Sequence, residues 1–217
     1  MRRSLIPFAL LVALAAMVAT DASARADEGY REIHKSFPFR AGQAIEIDFP
    51  IGQLRIEAGN ELEVAVELEA RCRWRSNCGL EKVEIDHRSS DRTLRIDVRA
   101  DGLGSKTQQE MKAVMRVPPG ASLDVEMSIG ELEIRDLEGD LEAELGIGEV
   151  RVYASAARVR AVYLDAGIGE AALRGAEPQA RSARSMLVGG EVEWAEGEGD
   201  ATLDVEVGIG EVRVDLD

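Results

Sequence analysis

Apolar and polar residues alternate in short bursts along this chain. Leu123, Val125, Met127 and Ile129 share one parity, with polar neighbours between them, and Leu203, Val205, Val207 and Ile209 do the same. A period of two predicts a β-strand with one buried face. The parity then reverses after a glycine. Leu132 and Ile134 follow Ile129-Gly130, while Val212, Val214 and Leu216 follow Ile209-Gly210. Earlier in the chain, Leu54 and Ile56 follow Ile51-Gly52 after Ile45, Ile47 and Phe49. A strand changes face only through a bend or bulge, and glycine supplies the permissive backbone for one. Each Ile-Gly pair is therefore expected to form a corner, with the isoleucine plugging the interior and the glycine turning the chain. No sustained apolar period of 3.6 is present, so helix is not expected.

The corner phrase recurs. Its second glycine is Gly130, Gly148, Gly169 and Gly210, with a degenerate copy at Gly190 and an outlying early copy at Gly52. From Gly130 the steps are 18, 21, 21 and 20 residues. Regular spacing of this kind marks a repeat architecture. The expected fold is all-β: a parallel β-solenoid of roughly 20-residue coils, two short strands to a coil, stacked on one apolar column. An antiparallel sandwich is the competing architecture. Gly139-Asp140, Gly175-Ala176 and Gly197 to Asp200 are the expected second turns. Residues 118–217 form the regular repeats, entered through Val117-Pro118-Pro119-Gly120. Residues 27–117 form a less regular β-rich N-terminal part, either in the same domain or as a cap. Its strand-like runs are 45–49, 53–57, 62–68, 83–86, 94–98 and 113–117.

Residues 1–26 read as a secretory leader. Met1-Arg2-Arg3 is basic, the stretch from Leu5 to Val18 is apolar, and Ala24-Arg25-Ala26 suits cleavage after Ala26. The apolar run is shorter than the ~20 residues of a membrane span, and no second such run follows. The expected protein is exported, periplasmic or attached to the cell surface.

Charge narrows the partners. The chain holds 26 Lys+Arg against 41 Asp+Glu, a net charge of −15. Nucleic acid and anionic membrane surfaces need basic stripes, so neither is expected as a partner. The acid is unevenly spread: residues 117–217 carry 8 basic and 23 acidic side chains, and residues 71–116 carry 11 and 7. If the copies stack, Glu131, Glu149, Glu170, Glu191 and Glu211 form one column at about 4.8 Å spacing. Such a column either binds a hard cation through oxygen ligands or serves as a solvated face that blocks sheet-to-sheet association. The nine-residue Gly- and Asp-rich repeat of calcium-binding β-rolls is absent. Arg151 and Arg213 stand where they can offset part of the repulsion.

Cys72 and Cys78 are the only cysteines. In an exported chain they are expected to form a structural disulfide. Arg71, Arg73, Trp74 and Arg75 make the same loop the one basic-aromatic spot after the leader. It is either a solvated hairpin tip or a contact loop for an acidic or sugar partner. Trp194 takes an inward strand position and is expected to pack, while Tyr153 is placed for exposure.

The phrase from Val117 to Val125, followed by Ile129-Gly130-Glu131-Leu132-Glu133-Ile134, resembles the bacterial putative-adhesin β-strand-repeat domain, a family of unknown function. The resemblance runs over roughly residues 43–217. It implies an exported parallel β-repeat protein of the cell envelope, with no catalytic residues to carry over. This chain uses Ile-Gly-Glu where many members have Ser-Gly-Asp.

No nucleophile motif, phosphate loop or metal-binding histidine pair stands out, and aromatics for sugar platforms are few at 4%. The expected function is non-enzymatic: a β-solenoid scaffold or adhesin-like interaction module with a protein or envelope-surface partner, and no cofactor. The alternatives are a regulatory or sensory partner in envelope-stress signalling and a carbohydrate-active enzyme. The charged final strand from Glu211 to Asp217 suggests a guarded end, hence a monomer or an end-to-end dimer.

Overall fold

The computed structural model describes residues 25–27, 29–72, 79–100, 109–178, 180–183 and 188–217. The expected leader, residues 1–26, therefore lies almost wholly outside the described residues; only Arg25 and Ala26 of it fall in a strand. Among the described residues, no helix is long and apolar enough to cross a membrane.

The strands are β1 (Arg25–Asp27), β2 (Tyr30–Pro38), β3 (Ala44–Ala58), β4 (Glu63–Cys72), β5 (Val83–Ser89), β6 (Thr93–Ala100) and β7 (Gln109–Val117). They continue as β8 (Ser122–Arg135), β9 (Leu141–Ala154), β10 (Val159–Arg174), β11 (Arg181–Ala183), β12 (Gly190–Trp194) and β13 (Ala201–Leu216). A single 3₁₀ turn at Leu80–Lys82 is the one helical element among the described residues. Every strand-like run read from residues 27–117 falls within β3, β4, β5, β6 or β7, apart from Leu62, which lies just ahead of β4.

The repeats are long single strands. β8 and β9 have 14 residues each, and β10 and β13 have 16. Each runs unbroken through its Ile-Gly pair, so the expected two short strands per repeat are one bent strand. Burial follows the predicted reversal: Leu123, Val125 and Met127 are buried before the bend, then Leu132 and Ile134 after it. The part before the glycine is the first arm of the strand, and the part after it the second arm.

The sheet is mixed rather than a simple parallel stack. Its main path runs β1-β2-β4-β7-β3-β8-β9-β13-β10-β12-β11. The central strands β3, β8, β9, β13 and β10 are parallel and in one register. The β2-β4-β7 and β10-β12-β11 flanks are antiparallel. β5 and β6 form a hairpin whose β6 pairs in parallel with the first arm of β3, while β7 pairs with the second arm.

The structure departs from three expectations. The order is not sequential, because β13 lies between β9 and β10. The final strand is thus internal, and its charges do not guard a sheet end. Gly190 is not a corner: it opens β12, which runs antiparallel to β10 with Gly190 opposite Ala166, and it lacks the positive φ of the other copies.

One apolar cluster joins all of this, from Ile33 and Phe37 through Phe49, Leu68 and Met115 to Val214 and Leu216. Trp194 is buried in it, with its indole N–H donated to the Pro178 carbonyl at 3.0 Å. An indole takes such a site only when its N–H finds an acceptor.

Candidate interaction surface

The corners hold the surface in register. Gly52, Gly130, Gly148, Gly210 and Gly169 are direct neighbours in that order. Their φ values are 126°, 145°, 145°, 144° and 144°, a region that side chains rarely adopt. A Cβ on Gly130 would also fall inside the Gly52 carbonyl oxygen, and one on Gly148 inside that of Gly130. Glycine is required on both counts: no other residue reaches this φ cheaply, and none lets the backbones stack so closely.

The isoleucines of these corners point outward, not into the interior. Ile51, Ile129, Ile147, Ile209 and Ile168 are 37%, 45%, 47%, 47% and 52% exposed. The reason lies in where the bend begins. Ser128, Ile129 and Glu131 are all exposed, with Gly130 half-buried between them, and the regular pairing of β8 with β9 skips Ser128 and Gly146. Alternation therefore stops before the isoleucine, and the whole span from Ser128 to Glu131 forms the convex side.

The Glu131 column is realised in part. Gln53, Glu131, Glu149, Glu211 and Glu170 occupy one row, and the Gln53 amide donates to Glu131 Oε2 at 3.1 Å. Glu191 does not belong to it; it pairs with Asp165 on the first arm. The next outward row mixes charges. Glu133 sits between Arg55 (2.9 Å) and Arg135 (2.7 Å), and Arg151 pairs with Glu149 at 2.5 Å. The Arg135 hydrogen bond, opposed by burial and assisted by the Arg55 charge, holds the Glu133 carboxyl below its usual range. The Arg135 guanidinium lies 4.3 Å from the ring centre of Tyr153, which is half-buried rather than free.

The densest acid lies elsewhere, on the outward face of the first arms. One row is Glu46, Asp124, Glu142 and Asp204. The adjacent row is Asp48, Glu126, Glu144, Glu206, Asp165 and Glu191. Burial first, then the charges of Glu144, Asp204, Asp165 and Glu142, push the Glu206 carboxyl above its usual range. At one end Arg95 bonds Asp97 at 2.8 Å and reaches Glu46 at 3.3 Å and Asp48 at 3.7 Å. The signal for these rows was present in the pairs Asp124/Glu126, Glu142/Glu144 and Asp204/Glu206, each at fixed distance from its Ile-Gly. It becomes visible only when the strands are aligned on the glycines.

Among the described residues, no group of three or more His, Cys, Asp or Glu is placed to hold a metal ion. Arg71 ends near the expected contact loop, bonded to Glu69 at 3.0 Å and 5.1 Å over the Tyr30 ring. Cys72 closes β4. Arg73, Trp74, Arg75 and Cys78 lie outside the described residues, as does the proposed pairing of Cys72 with Cys78.

Fold and surface together define an almost wholly β protein whose in-register strands display ranked carboxylates. No family model matches the chain, and no curated protein matches it significantly. Among solved structures, it resembles a putative cell adhesion protein from Clostridium sporogenes at 15% identity and a TM-score of 0.54, covering 85% of this chain and 99% of that one. A putative adhesin from Bacteroides fragilis aligns at 10% identity, over 84% of this chain and 96% of the other, with a TM-score of 0.28. A putative adhesin from Parabacteroides merdae aligns at 9% identity, over 86% and 96%, with a TM-score of 0.25. The first of these shows a shared fold.

Proposed function

We propose that this is a non-enzymatic, exported cell-envelope protein, a β-solenoid-like scaffold that carries an adhesin-like interaction surface. The observation that carries the reading is the ranked first-arm face, where parallel strands in one register hold two rows of carboxylates at strand spacing. A pre-formed array on a rigid sheet binds without the ordering cost that a flexible segment meets. Its form is a broad face rather than an enclosing cleft, which suits a surface partner better than a small substrate.

The lengths of the strands and their connections support the scaffold half. A straight strand of 14 residues would span about 45 Å at ~3.3 Å per residue. The connection from Arg135 to Leu141 covers at most about 20 Å. To start β9 in register beside β8 the chain has to come back on itself, and the bend at Gly130 contributes to that return, which supports the reading of each bent strand as one coil. The fold shared with a protein named for cell adhesion points the same way.

The test is binding of the purified protein to intact bacterial cells and isolated envelope fragments, together with fractionation of the producing cell. Saturable binding that weakens when Glu126, Glu144 and Glu206 are changed to Gln is the expected result. Recovery of the protein in the cytoplasm, or turnover of an envelope glycan by the pure protein, overturns the reading.

A further inference from the structure

We propose that the outward corner residues form a docking rail for a basic amphipathic helix of a partner protein. The inference rests on the interaction-module reading and adds the chemistry of its occupant. The rail is Ile51, Ile129, Ile147, Ile209, Ile168 and Val188. The first five are register neighbours, and the Gly169 N–H bonded to the Val188 carbonyl at 2.7 Å brings Val188 beside the last. Val188 is 58% exposed, and the six together make up all but two of the large exposed hydrophobics among the described residues, the others being Leu62 and Tyr163. Scattered exposed apolar residues mean little, but a contiguous line of them marks a contact surface. Folding alone does not call for the line, since threonine has the same strand preference at an exposed position.

Charge selects the occupant. The rail is flanked on one side by the Glu131 row and on the other by the Glu126 row. An apolar line between two acidic lines fits a partner with an apolar stripe between basic residues. A second copy would bring acid against acid, and an anionic lipid surface would be repelled in the same way.

Spacing selects a helix. Rungs on neighbouring strands recur about every 4.8 Å, so the five isoleucine rungs span roughly 19 Å, and Val188 extends the line by about one further step. The apolar stripe of an α-helix advances about 5.3 Å per contact residue, two contacts to seven residues at ~1.5 Å rise. An extended strand lying along the rail would present one side chain every ~6.6 Å and fall out of step within two rungs. A helix of about 16 residues matches the full length. At the Ile51 end the rail runs into a depression lined by Gly52, Gln53, Met111 and Gly130, which can take the helix's terminal side chain.

The probe is a synthetic 18-residue helix with leucine at the stripe positions and lysine on both flanks, and its twin carries glutamate flanks. Binding is followed by fluorescence anisotropy with the wild-type protein and with the triple variant Ile129→Thr, Ile147→Thr, Ile209→Thr, whose folding is confirmed by circular dichroism. The lysine peptide is expected to bind, the triple variant to bind it at least ~10-fold more weakly, and the glutamate twin not to bind. Equal binding by the triple variant overturns the rail, because the acid rows alone would then hold the peptide. Self-association of the wild type that the triple variant abolishes, seen by sedimentation, also overturns it, because a second copy would be the occupant. Envelope binding by the wild type with no binding of the lysine peptide sinks the rail and leaves the interaction-module reading standing. Rail-dependent peptide binding without any envelope binding sinks only the latter.

Discussion

Gly52 lies directly beside Gly130 in the sheet, although 78 residues separate them in the chain. The bend of β3 and the bend of β8 are one continuous corner, and everything from β4 to β7 is an excursion that returns to the same register. The Gly52 carbonyl occupies the place where a Cβ on Gly130 would stand.

Gly148 has the same geometry in the middle of the stack, so Gly148→Ala is expected to cost about 3 kcal/mol or more, combining an unfavourable φ with a backbone collision. Gly120 meets nothing within 4 Å of an added Cβ and lacks a positive φ, so Gly120→Ala is expected to stay within about 0.5 kcal/mol of wild type. Urea denaturation of the two variants reads the contrast. A similar loss at both sites would show that the corner register contributes little.

The outward placement of Ile129 against the buried Ile134 predicts unequal responses to one substitution. Ile134→Thr removes a fully buried side chain and buries a hydroxyl, at a cost of roughly 2 kcal/mol or more. Ile129→Thr is expected to change stability by under about 0.5 kcal/mol. Comparable thermal midpoints for the two would return Ile129 to the interior.

Glu206 and Glu133 respond to pH in opposite senses. The Glu206 carboxyl is raised in the folded protein, so the native state binds its proton more tightly than the unfolded chain does. Its repulsion is therefore relieved as pH falls through the raised folded value toward the ordinary carboxylate range, and is fully felt above that window. Glu206→Gln is expected to raise the thermal midpoint slightly at neutral pH, with the gain fading at acid pH and in high salt. A midpoint that drops at neutral pH would contradict the crowding of the acid rows.

Glu133 is depressed instead, so what it contributes through Arg135 and Arg55 is present at neutral pH and is lost as pH falls below the ordinary carboxylate range, through its lowered folded value. Because the pairs are partly exposed, Glu133→Gln is expected to cost no more than about 1 kcal/mol at neutral pH. A double-mutant cycle with Arg135→Gln measures the coupling, and a coupling of zero would show that the Arg135 contact does not set it.

The strands, their buried faces and the reversal after each glycine were legible in the residues, because side-chain alternation is a local property of extended backbone. Leu132 and Ile134 after Gly130, and Val212 and Val214 after Gly210, needed no knowledge of neighbours. The same local rule misplaced Ile129, because alternation was carried one step too far: Ser128 and Ile129 both face outward where the bend begins. Which strand lies beside which was not legible either. Equal spacing suggested neighbours in chain order, yet β13 entered between β9 and β10, and the Gly190 copy turned antiparallel. Pairing is a non-local choice among strands of nearly equal pattern, decided by which arrangement packs one common core. The sequence by itself determined what each strand buries and where it must bend. Only the tertiary structure decided which carboxylates and which isoleucines stand side by side, since a row across a sheet exists only once its strands have chosen their neighbours.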